Sequence, residues 1–236
     1  MRFEWATATD TGLVRDQNED TVWPSPGSGS ADEAMIVAVA DGMGGHAGGE
    51  IASRTAIETA SAVGGSPLIR IQAANLAVLD AAARRPRLSG MGTTLTVVLL
   101  DPAKPAELAH VGDSRAYLYR DGNLERLTED HSYVAEMIAA GRMTPEEAET
   151  HPYRSVVTRA VGLEPTVDVD TIAFDLVSGN RILLCSDGIT NMIDEAAITA
   201  ILGAGHDAVA TADSLVDAAN RAGGVDNVSV VVVDVV

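Results

Sequence analysis

Residues 35 to 50 read MIVAVADGMGGHAGGE, an apolar run that leads into a glycine-rich loop. Met35 to Ala40 contains no polar residue, which predicts a strand with both faces covered. Asp41 places a carboxylate at the end of this strand, where glycine lets the chain turn sharply. Three later segments also join an acidic residue to an apolar run: Val111-Gly112-Asp113-Ser114, Cys185-Ser186-Asp187-Gly188 and Val225-Asp226-Asn227. Four such acids indicate one carboxylate-lined site.

The composition limits the classes of partner. The chain has 236 residues, of which 46% are apolar and only 3% aromatic, so its core is built from Ala, Val, Leu and Ile. Its 34 acidic and 16 basic residues give a formal net charge of −18. A field of this sign repels nucleic acid and anionic membranes, so we expect neither as a partner.

Cellular location is indicated by one cysteine and by the polar N-terminal region. Cys185 is the sole cysteine and lies within an apolar run, so we expect a buried thiol and no internal disulfide. No signal peptide opens the sequence, and its apolar runs are shorter than the ~20 residues that span a bilayer. These features predict a cytoplasmic protein, which we expect to be a monomer.

The remaining sequence alternates between strand patterns and helix patterns. Glycine and proline residues mark the ends of two predicted helices. The first is Glu50–Val63, and the second runs from Ser66-Pro67 to about Arg84. Later helices are predicted at 194–202 and 207–221, and residues 24–32 are predicted to form a surface loop. The predicted strands are 2–9, 21–23, 35–40, 91–100, 106–111, 115–120, 124–127, 167–174, 181–186 and 227–235.

This order of elements predicts the fold class. Hairpin-linked strands with segregated helices favour antiparallel sheets in an α+β fold. Because many strands are apolar on both faces, we expect a four-layer α/β/β/α sandwich, with two mainly antiparallel sheets flanked by helices. The whole chain, 1–236, is predicted to be one domain, with a partly helical excursion at about 132–162.

The acidic residues at strand ends point to a metal site. In antiparallel sheets the end of one strand lies beside the start of its neighbour, so Asp41, Asp113, Asp187 and Asp226 can share one edge. Crowded carboxylates repel one another unless cations neutralise them. Oxygen ligands without a Cys-His cluster favour Mn²⁺ or Mg²⁺. The alternative for each Asp is simple turn chemistry, which we accept for Asp121-Gly122.

Two further residues fit phosphoryl transfer. Paired divalent ions can activate water for an in-line displacement, and arginine can bind the phosphoryl oxygens. Arg15 is the candidate for that contact, and the alternative is a surface arginine. His46, in the glycine-rich loop, is the candidate general acid for the leaving alkoxide. His110 and His206 are expected to pack or to face solvent.

Seven motifs together resemble the metal-dependent Ser/Thr protein phosphatases of the type 2C family, bacterial branch. The resemblance covers nearly the whole chain. The motifs are Gly12–Asp20 (GLVRDQNED), Asp41–His46 (DGMGGH), Gly90–Thr94 (GMGTT), Val111–Tyr117 (VGDSRAY), Thr128–Ser132 (TEDHS), Ser186–Gly188 (SDG) and Asp226-Asn227.

The resemblance implies hydrolysis of phosphoserine and phosphothreonine in proteins, the targets of a Ser/Thr kinase, by a water that bridges two Mn²⁺ or Mg²⁺ ions. A weaker third ion is also implied. Arg15 would bind substrate phosphate and His46 would be the general acid. Asp41 would bridge the two ions, with Asp187 and Asp226 at the first and the Gly42 carbonyl at the second. Glu19 and Asp20 would hold waters of this centre, and Asp113 with Asp187 would bind the third ion.

The excursion at 132–162 would be the flap of the family, a variable region that touches protein substrates. Residues 154–160 depart from the asparagine-containing version of that segment, a difference that touches none of the implied ligands.

Three alternatives remain open. Gly42 to Ala47 satisfies the GxGxxA dinucleotide pattern, but Asp41 would repel a pyrophosphate and Glu58 lies in a helical pattern rather than ending a second strand. A regulatory, non-catalytic protein of the same fold would be expected to lack some ligands, whereas none is missing here. A hydrolase of small phosphoesters or of a phosphorylated anti-sigma partner would use the same catalytic residues.

Overall fold

Two antiparallel sheets form the centre of the computed structural model, which describes residues 1–44 and 47–236. The strands are β1 (Phe3–Asp10), β2 (Asp20–Trp23), β3 (Gly27–Ala31), β4 (Met35–Met43), β5 (Gly92–Thr93), β6 (Leu95–Leu100), β7 (Ala106–Val111), β8 (Arg115–Arg120), β9 (Asn123–Arg126), β10 (Asp170–Phe174), β11 (Arg181–Cys185) and β12 (Val228–Val235). One sheet has the order β3-β1-β12-β11-β8-β9, and the other has β10-β7-β6-β4-β2, with β5 paired to β4.

Helices cover the outer faces of both sheets. They are α1 (Ala47–Ala62), α2 (Pro67–Ala83), α3 (Tyr133–Ala139), α4 (Pro145–Glu149), α5 (Asp187–Thr190), α6 (Glu195–Leu202) and α7 (Ala208–Arg221). In β4, Val37 and Val39 face the opposite sheet, whereas Ala38 packs in the cluster that holds α1 and α2. In β12, the inward Val231 likewise alternates with residues that pack against α7. Strands that are apolar on both faces therefore occupy the two middle layers, and the predicted four-layer sandwich is confirmed.

The structure differs from the sequence prediction at several elements. Residues 27–31 form the edge strand β3, paired antiparallel to β1, in the segment expected to be a loop. This strand is made of Gly, Ser and Ala and is almost fully exposed, so backbone pairing rather than an apolar pattern defines it. The predicted strand 91–100 is divided at Thr94, and a one-turn helix, α5, follows Ser186 where no helix was expected.

Residues 132–162, which we call the flap, leave the sandwich and return to it at adjacent points. Ser132 and Val157 form an isolated antiparallel bridge, and the Tyr133 amide donates to the Val156 carbonyl at 2.8 Å. Helix α3 has no fully buried residue, and α4 begins at a capping box formed by Thr144. The flap is therefore anchored at its two ends while its helices lie over the surface.

Across the described residues, no helix combines the length and the apolar character needed to cross a membrane.

Candidate metal centre

Five aspartates from separate elements meet at one end of the sandwich. Strand pairing places Asp20 of β2 opposite Asp41 of β4. Asp113 lies in the turn between β7 and β8, Asp187 begins α5, and Asp226 stands two residues before β12. We call this set the acidic rim. Asp41 was expected at the end of a strand, but β4 continues to Met43, so its carboxylate projects from the strand itself.

The five carboxylates of the acidic rim are close enough to perturb one another. Burial, followed by repulsion from the four other members, holds the pKa of Asp41 well above its ordinary value. Burial and the charge of Asp187 raise the pKa of Asp113 to about 7. Burial raises the pKa of Asp20 to about 7 despite a hydrogen bond from Ser186, and burial with the charge of Asp226 raises that of Asp187 to about 6.

Two carboxylate oxygens of the rim suit a cation. Oδ1 of Asp20 and Oδ1 of Asp187 are buried and have no hydrogen-bond partner among the described residues. Buried oxygens of this kind are costly unless a donor or a metal ion satisfies them. In residues 1–44 and 47–236, however, no group of three Asp, Glu, His or Cys side chains is arranged to hold an ion by itself. The residues therefore fit hard divalent ions that keep several waters, as Mg²⁺ commonly does.

Serine and threonine hydroxyls hold the rim aspartates in place. The Asp41 amide donates to Thr94 Oγ1 at 2.8 Å, and Thr94 Oγ1 lies 2.7 Å from Ser114 Oγ. The Ser186 hydroxyl donates to Asp20 Oδ2 at 2.7 Å and accepts the Ser229 amide at 3.1 Å. Sequence reasoning gave these residues no role of their own, although each except Ser229 belongs to a quoted motif. For Ser114 and Ser186 the available signal was their position directly beside an aspartate of the rim.

Glycine lets the backbone segments of the site approach closely. A Cβ on Gly42 would lie 2.1 Å from the Gly49 carbonyl oxygen and 2.6 Å from that of Glu19. A Cβ on Gly188 would lie 1.9 Å from the Asn227 carbonyl oxygen. These contacts are far shorter than van der Waals distance, so α5 can approach the start of β12 only with glycine at position 188.

Arg15 reaches the rim from the loop between β1 and β2. Its Nη2 donates to Asp226 Oδ2 at 2.7 Å, while its side chain remains 52% exposed. Asn227 fixes the loop by donating to the Thr11 and Gln17 carbonyl oxygens at 2.9 and 2.8 Å and by accepting the Glu19 amide at 2.8 Å. One asparagine beside Asp226 therefore positions the segment that carries Arg15.

Glu19, another predicted site residue, lies near the start of α1. The Glu19 carboxylate is beside Gly49, where an added Cβ would lie 2.6 Å from Glu19 Oε2. His46, the candidate general acid, lies outside the described residues. Of the other histidines, His110 is fully buried and its Nδ1 is 2.8 Å from Thr96 Oγ1, as expected for a packed side chain. His206 is exposed, as expected.

A cleft of about 1290 Å³ extends from the acidic rim along the flap. One end contains Arg15 and the carboxylates of Asp113, Asp187 and Asp226. Away from the rim its lining includes both apolar and basic side chains. Among them are Val134, Ile138, Arg154 and Arg159 from the flap and Met192 and Ile193 after α5. A phosphoryl group held beside Arg15 would therefore have room for a polypeptide on the flap side.

The nucleotide-binding alternative lacks its structural context. Gly42 belongs to β4, whose neighbours β2 and β6 both run antiparallel to it. Glu58 lies inside α1 and not at the end of a second parallel strand. The dinucleotide fingerprint requires a parallel strand-helix-strand unit, which residues 35–62 do not form.

Comparisons with known proteins agree with this geometry. The family model described as Protein phosphatase 2C matches residues 17–220. The serine/threonine protein phosphatase PstP of Mycobacterium tuberculosis is 40% identical over 99% of this chain, which spans 45% of the length of PstP. The serine/threonine phosphatase stp of Listeria welshimeri is 37% identical over 96% of this chain and 93% of its own length.

A solved structure of the PstP catalytic domain with two manganese ions is also similar. It superposes with a TM-score of 0.84 at 37% identity, and the match covers 100% of both chains. The family model, the identity along the chain and the shared fold all indicate the same family. This chain belongs to the protein phosphatase 2C family.

Proposed function

We propose that this protein hydrolyses phosphoserine and phosphothreonine in proteins with the help of divalent cations. The observation that carries the proposal is the convergence of five mutually repelling aspartates beside Arg15, at the end of a cleft wide enough for a peptide. The relatives named as Ser/Thr phosphatases and the two manganese ions in the PstP structure support it.

The proposed ligand roles are those that the family resemblance implies, and the positions of the carboxylates support them. Asp41 has the other four aspartates of the acidic rim among its electrostatic neighbours, which suits it to bridge two ions with the Gly42 carbonyl beside it. Asp187 and Asp226 would complete the coordination shell of one ion, and Glu19 and Asp20 would orient water molecules bound to the ions. Bound Mn²⁺ or Mg²⁺ would stabilise charge on the phosphoryl oxygens and lower the pKa of the attacking water.

Arg15 and His46 act on the substrate itself. The Arg15 guanidinium uses Nη2 for Asp226, and none of its other N–H groups makes a hydrogen bond to a described residue, so they can bind phosphoryl oxygens. His46 would donate a proton to the leaving serine or threonine oxygen. Without that proton the alkoxide of an alkyl phosphate would be a poor leaving group.

Substitution of Asp187 tests this function. In Asp187→Asn the shape is kept, and Asn191, which donates to Asp187 Oδ2 at 2.9 Å, retains an acceptor. We expect turnover of a phosphothreonine peptide to fall about a hundredfold or more, since metal centres depend on such ligands. The assay compares wild type and variant after EDTA treatment and Mn²⁺ or Mg²⁺ add-back. Asp121→Asn, in a solvent-exposed turn, is the matched control. Full activity of Asp187→Asn, or of wild type in EDTA, would refute the proposal.

A third, weaker ion is proposed at Asp113, with Asp187. Support comes from Asp113 itself, because burial, followed by the charge of Asp187, raises the pKa of its carboxyl. We expect Asp113→Asn to raise the Mn²⁺ concentration needed for half-maximal activity about tenfold, while kcat at saturating Mn²⁺ changes much less. A Mn²⁺ titration of activity provides the measurement, and an unchanged midpoint would contradict the assignment.

The substrates are proposed to be phosphoproteins modified by a Ser/Thr kinase, bound by residues 132–162 as the flap of a single catalytic domain, 1–236. The length of the cleft along the flap, and its lining of apolar side chains mixed with charged ones of both signs, favour a peptide over a small phosphoester. We infer that the protein acts as a monomer in the cytoplasm, where the buried thiol of Cys185 would stay reduced.

A further inference from the structure

His131 lies where the two ends of the flap meet the turn that carries Asp113. Its side chain is 1% exposed. Its amide donates to the Gly112 carbonyl at 2.8 Å, and the Gly112 amide donates to His131 Nδ1 at 3.0 Å. From the returning end of the flap, the Thr158 amide donates to the His131 carbonyl at 2.8 Å. One histidine therefore bonds both polar backbone groups of Gly112, the residue before Asp113, and the end of the flap.

The hydrogen bonds determine how the His131 ring is protonated. Because Nδ1 accepts the Gly112 N–H, it presents a lone pair, so the proton of the neutral ring is on Nε2. Nε2 lies 3.2 Å from Asp170 Oδ2 and donates to it. The His110 ring packs against His131 at a centroid distance of 4.8 Å, and its own nitrogens lie 2.8 Å from Thr96 Oγ1 and 3.1 Å from the Glu129 carbonyl oxygen. The nitrogens of His110 therefore do not compete with His131 for Gly112 or Asp170.

Asp170 extends the connection to the wall of the cleft. It stands at the start of β10, and its Oδ1 accepts from Arg159 Nη1 at 2.9 Å. Arg159 is a cleft-lining residue of the flap. The chain of contacts from Arg159 through Asp170 and His131 ends at Gly112, beside Asp113.

We propose that His131 is a positioning residue with two separable roles, one for each ring nitrogen. Through Nδ1 it holds the Asp113 turn in the conformation that binds a divalent ion. Through Nε2 and Asp170 it holds Arg159 at the wall of the cleft, where the substrate polypeptide binds. This inference rests on the proposed phosphatase function and gives a positioning role to a side chain that is 1% exposed.

Two amide substitutions separate these roles, because each can replace one ring nitrogen. In His131→Asn the short side chain can place its oxygen near the Nδ1 position and accept the Gly112 N–H, but it cannot reach Asp170. In His131→Gln the longer side chain can place its NH₂ near the Nε2 position and donate to Asp170, but it leaves the Gly112 N–H without an acceptor. Asp170→Ala removes the Asp170 link without altering His131, and Asp170 is 41% exposed at its side chain, so this variant is expected to fold.

Three measurements on the full chain test the proposal: Mn²⁺ binding by EPR, hydrogen exchange at the Gly112 amide, and kcat and KM for a phosphothreonine peptide. For His131→Gln we expect about tenfold weaker binding of the last Mn²⁺ ion, faster exchange at Gly112 and a lower kcat. For His131→Asn and Asp170→Ala we expect Mn²⁺ binding and Gly112 exchange close to wild type, with KM raised several-fold.

The contrast between variants decides the outcome. Equal loss of Mn²⁺ affinity in His131→Asn and His131→Gln, or no difference of either from wild type, would overturn the proposal. Weakened Mn²⁺ binding in Asp170→Ala would also overturn the proposal. This variant remains a test even if both His131 variants fail to fold. Exchange at Gly112 does not depend on catalysis. An inactive wild-type protein would refute the phosphatase function, whereas a missing exchange contrast would refute the role of His131.

Discussion

At the scale of single residues, the site depends on neutral hydroxyls as much as on its carboxylates. Thr94 is the clearest case, because its Oγ1 accepts the Asp41 amide and also contacts Ser114, next to Asp113. It therefore links Asp41 of β4 to the turn between β7 and β8 that carries Asp113. An aspartate whose backbone is fixed in this way keeps its orientation when a cation or a substrate binds. Such preorganisation favours catalysis.

Replacing Thr94 tests this role. In Thr94→Val the buried Asp41 amide loses its acceptor, so we expect the free energy of unfolding to fall by about 1–3 kcal/mol. We also expect kcat to fall more than the stability loss alone explains, because Asp41 is no longer aligned. Denaturant titration and steady-state kinetics at saturating Mn²⁺ supply the two values. Thr94→Ser keeps the hydroxyl and is the control, and identical behaviour of Val and Ser would argue against the bridge.

At the scale of elements, the flap and the sandwich differ in how they are held. The strands of the sandwich are buried between layers, whereas α3 has no buried residue and α4 has only Ala148. Such a segment opens with little loss of buried apolar area, which makes it the part most easily shifted by a ligand. The cleft between flap and rim can therefore adapt to different polypeptides.

Limited trypsin digestion tests whether substrate covers the flap. Arg142 and Arg154 are exposed in the flap, and Arg84 and Arg87 are exposed after α2. In the Asp187→Asn variant a phosphopeptide would bind without being hydrolysed. We expect it to slow cleavage after Arg142 and Arg154 several-fold and to leave cleavage after Arg84 and Arg87 unchanged, as read by mass spectrometry. Protection at all four arginines, or at neither flap site, would contradict a substrate-binding flap.

The elements also show how far sequence reasoning reaches. Strands such as β4 and β12 were predictable because both of their faces are apolar, which occurs only in the middle layers of such a sandwich. Strand β3 was missed because its Gly-Ser pattern carries no apolar periodicity, and its pairing with β1 defines it. The motifs predicted the five aspartates and Arg15. The bonds of Ser186 to Asp20 and of His131 to Gly112 join residues far apart in sequence, so no local pattern revealed them.

At the scale of the whole molecule, the acidic rim links stability to pH and to metal. The pKa values of Asp20 and Asp113 are raised to about 7 and that of Asp187 to about 6, against about 4 in an unfolded chain. Between these limits the metal-free folded protein holds protons that the unfolded chain has released. The protonated carboxyls therefore stabilise the metal-free fold at low pH. This contribution to the free energy of unfolding is lost as the pH rises through 6 to 7.

Thermal unfolding at two pH values measures this linkage. In EDTA we expect a higher Tm at pH 5 than at pH 7.5. With saturating Mn²⁺ we expect the increase in Tm to be larger at pH 7.5, because cations bind the deprotonated carboxylates. Asp20→Asn removes one of the protons involved and is expected to flatten the pH dependence without metal. A metal-free Tm that is higher at pH 7.5 than at pH 5 would show that the rim does not control stability.

The pairing of β1 with β12 has a practical consequence. The amides of Arg2 and Val236 each donate to the carbonyl of the other at 2.9 Å, at the end of these strands remote from Asp226. Eight paired residues, at about 3.3 Å each, separate this end from the Asp226 end by roughly 25 Å. A fusion partner or surface tether attached at either position would thus leave the catalytic face open.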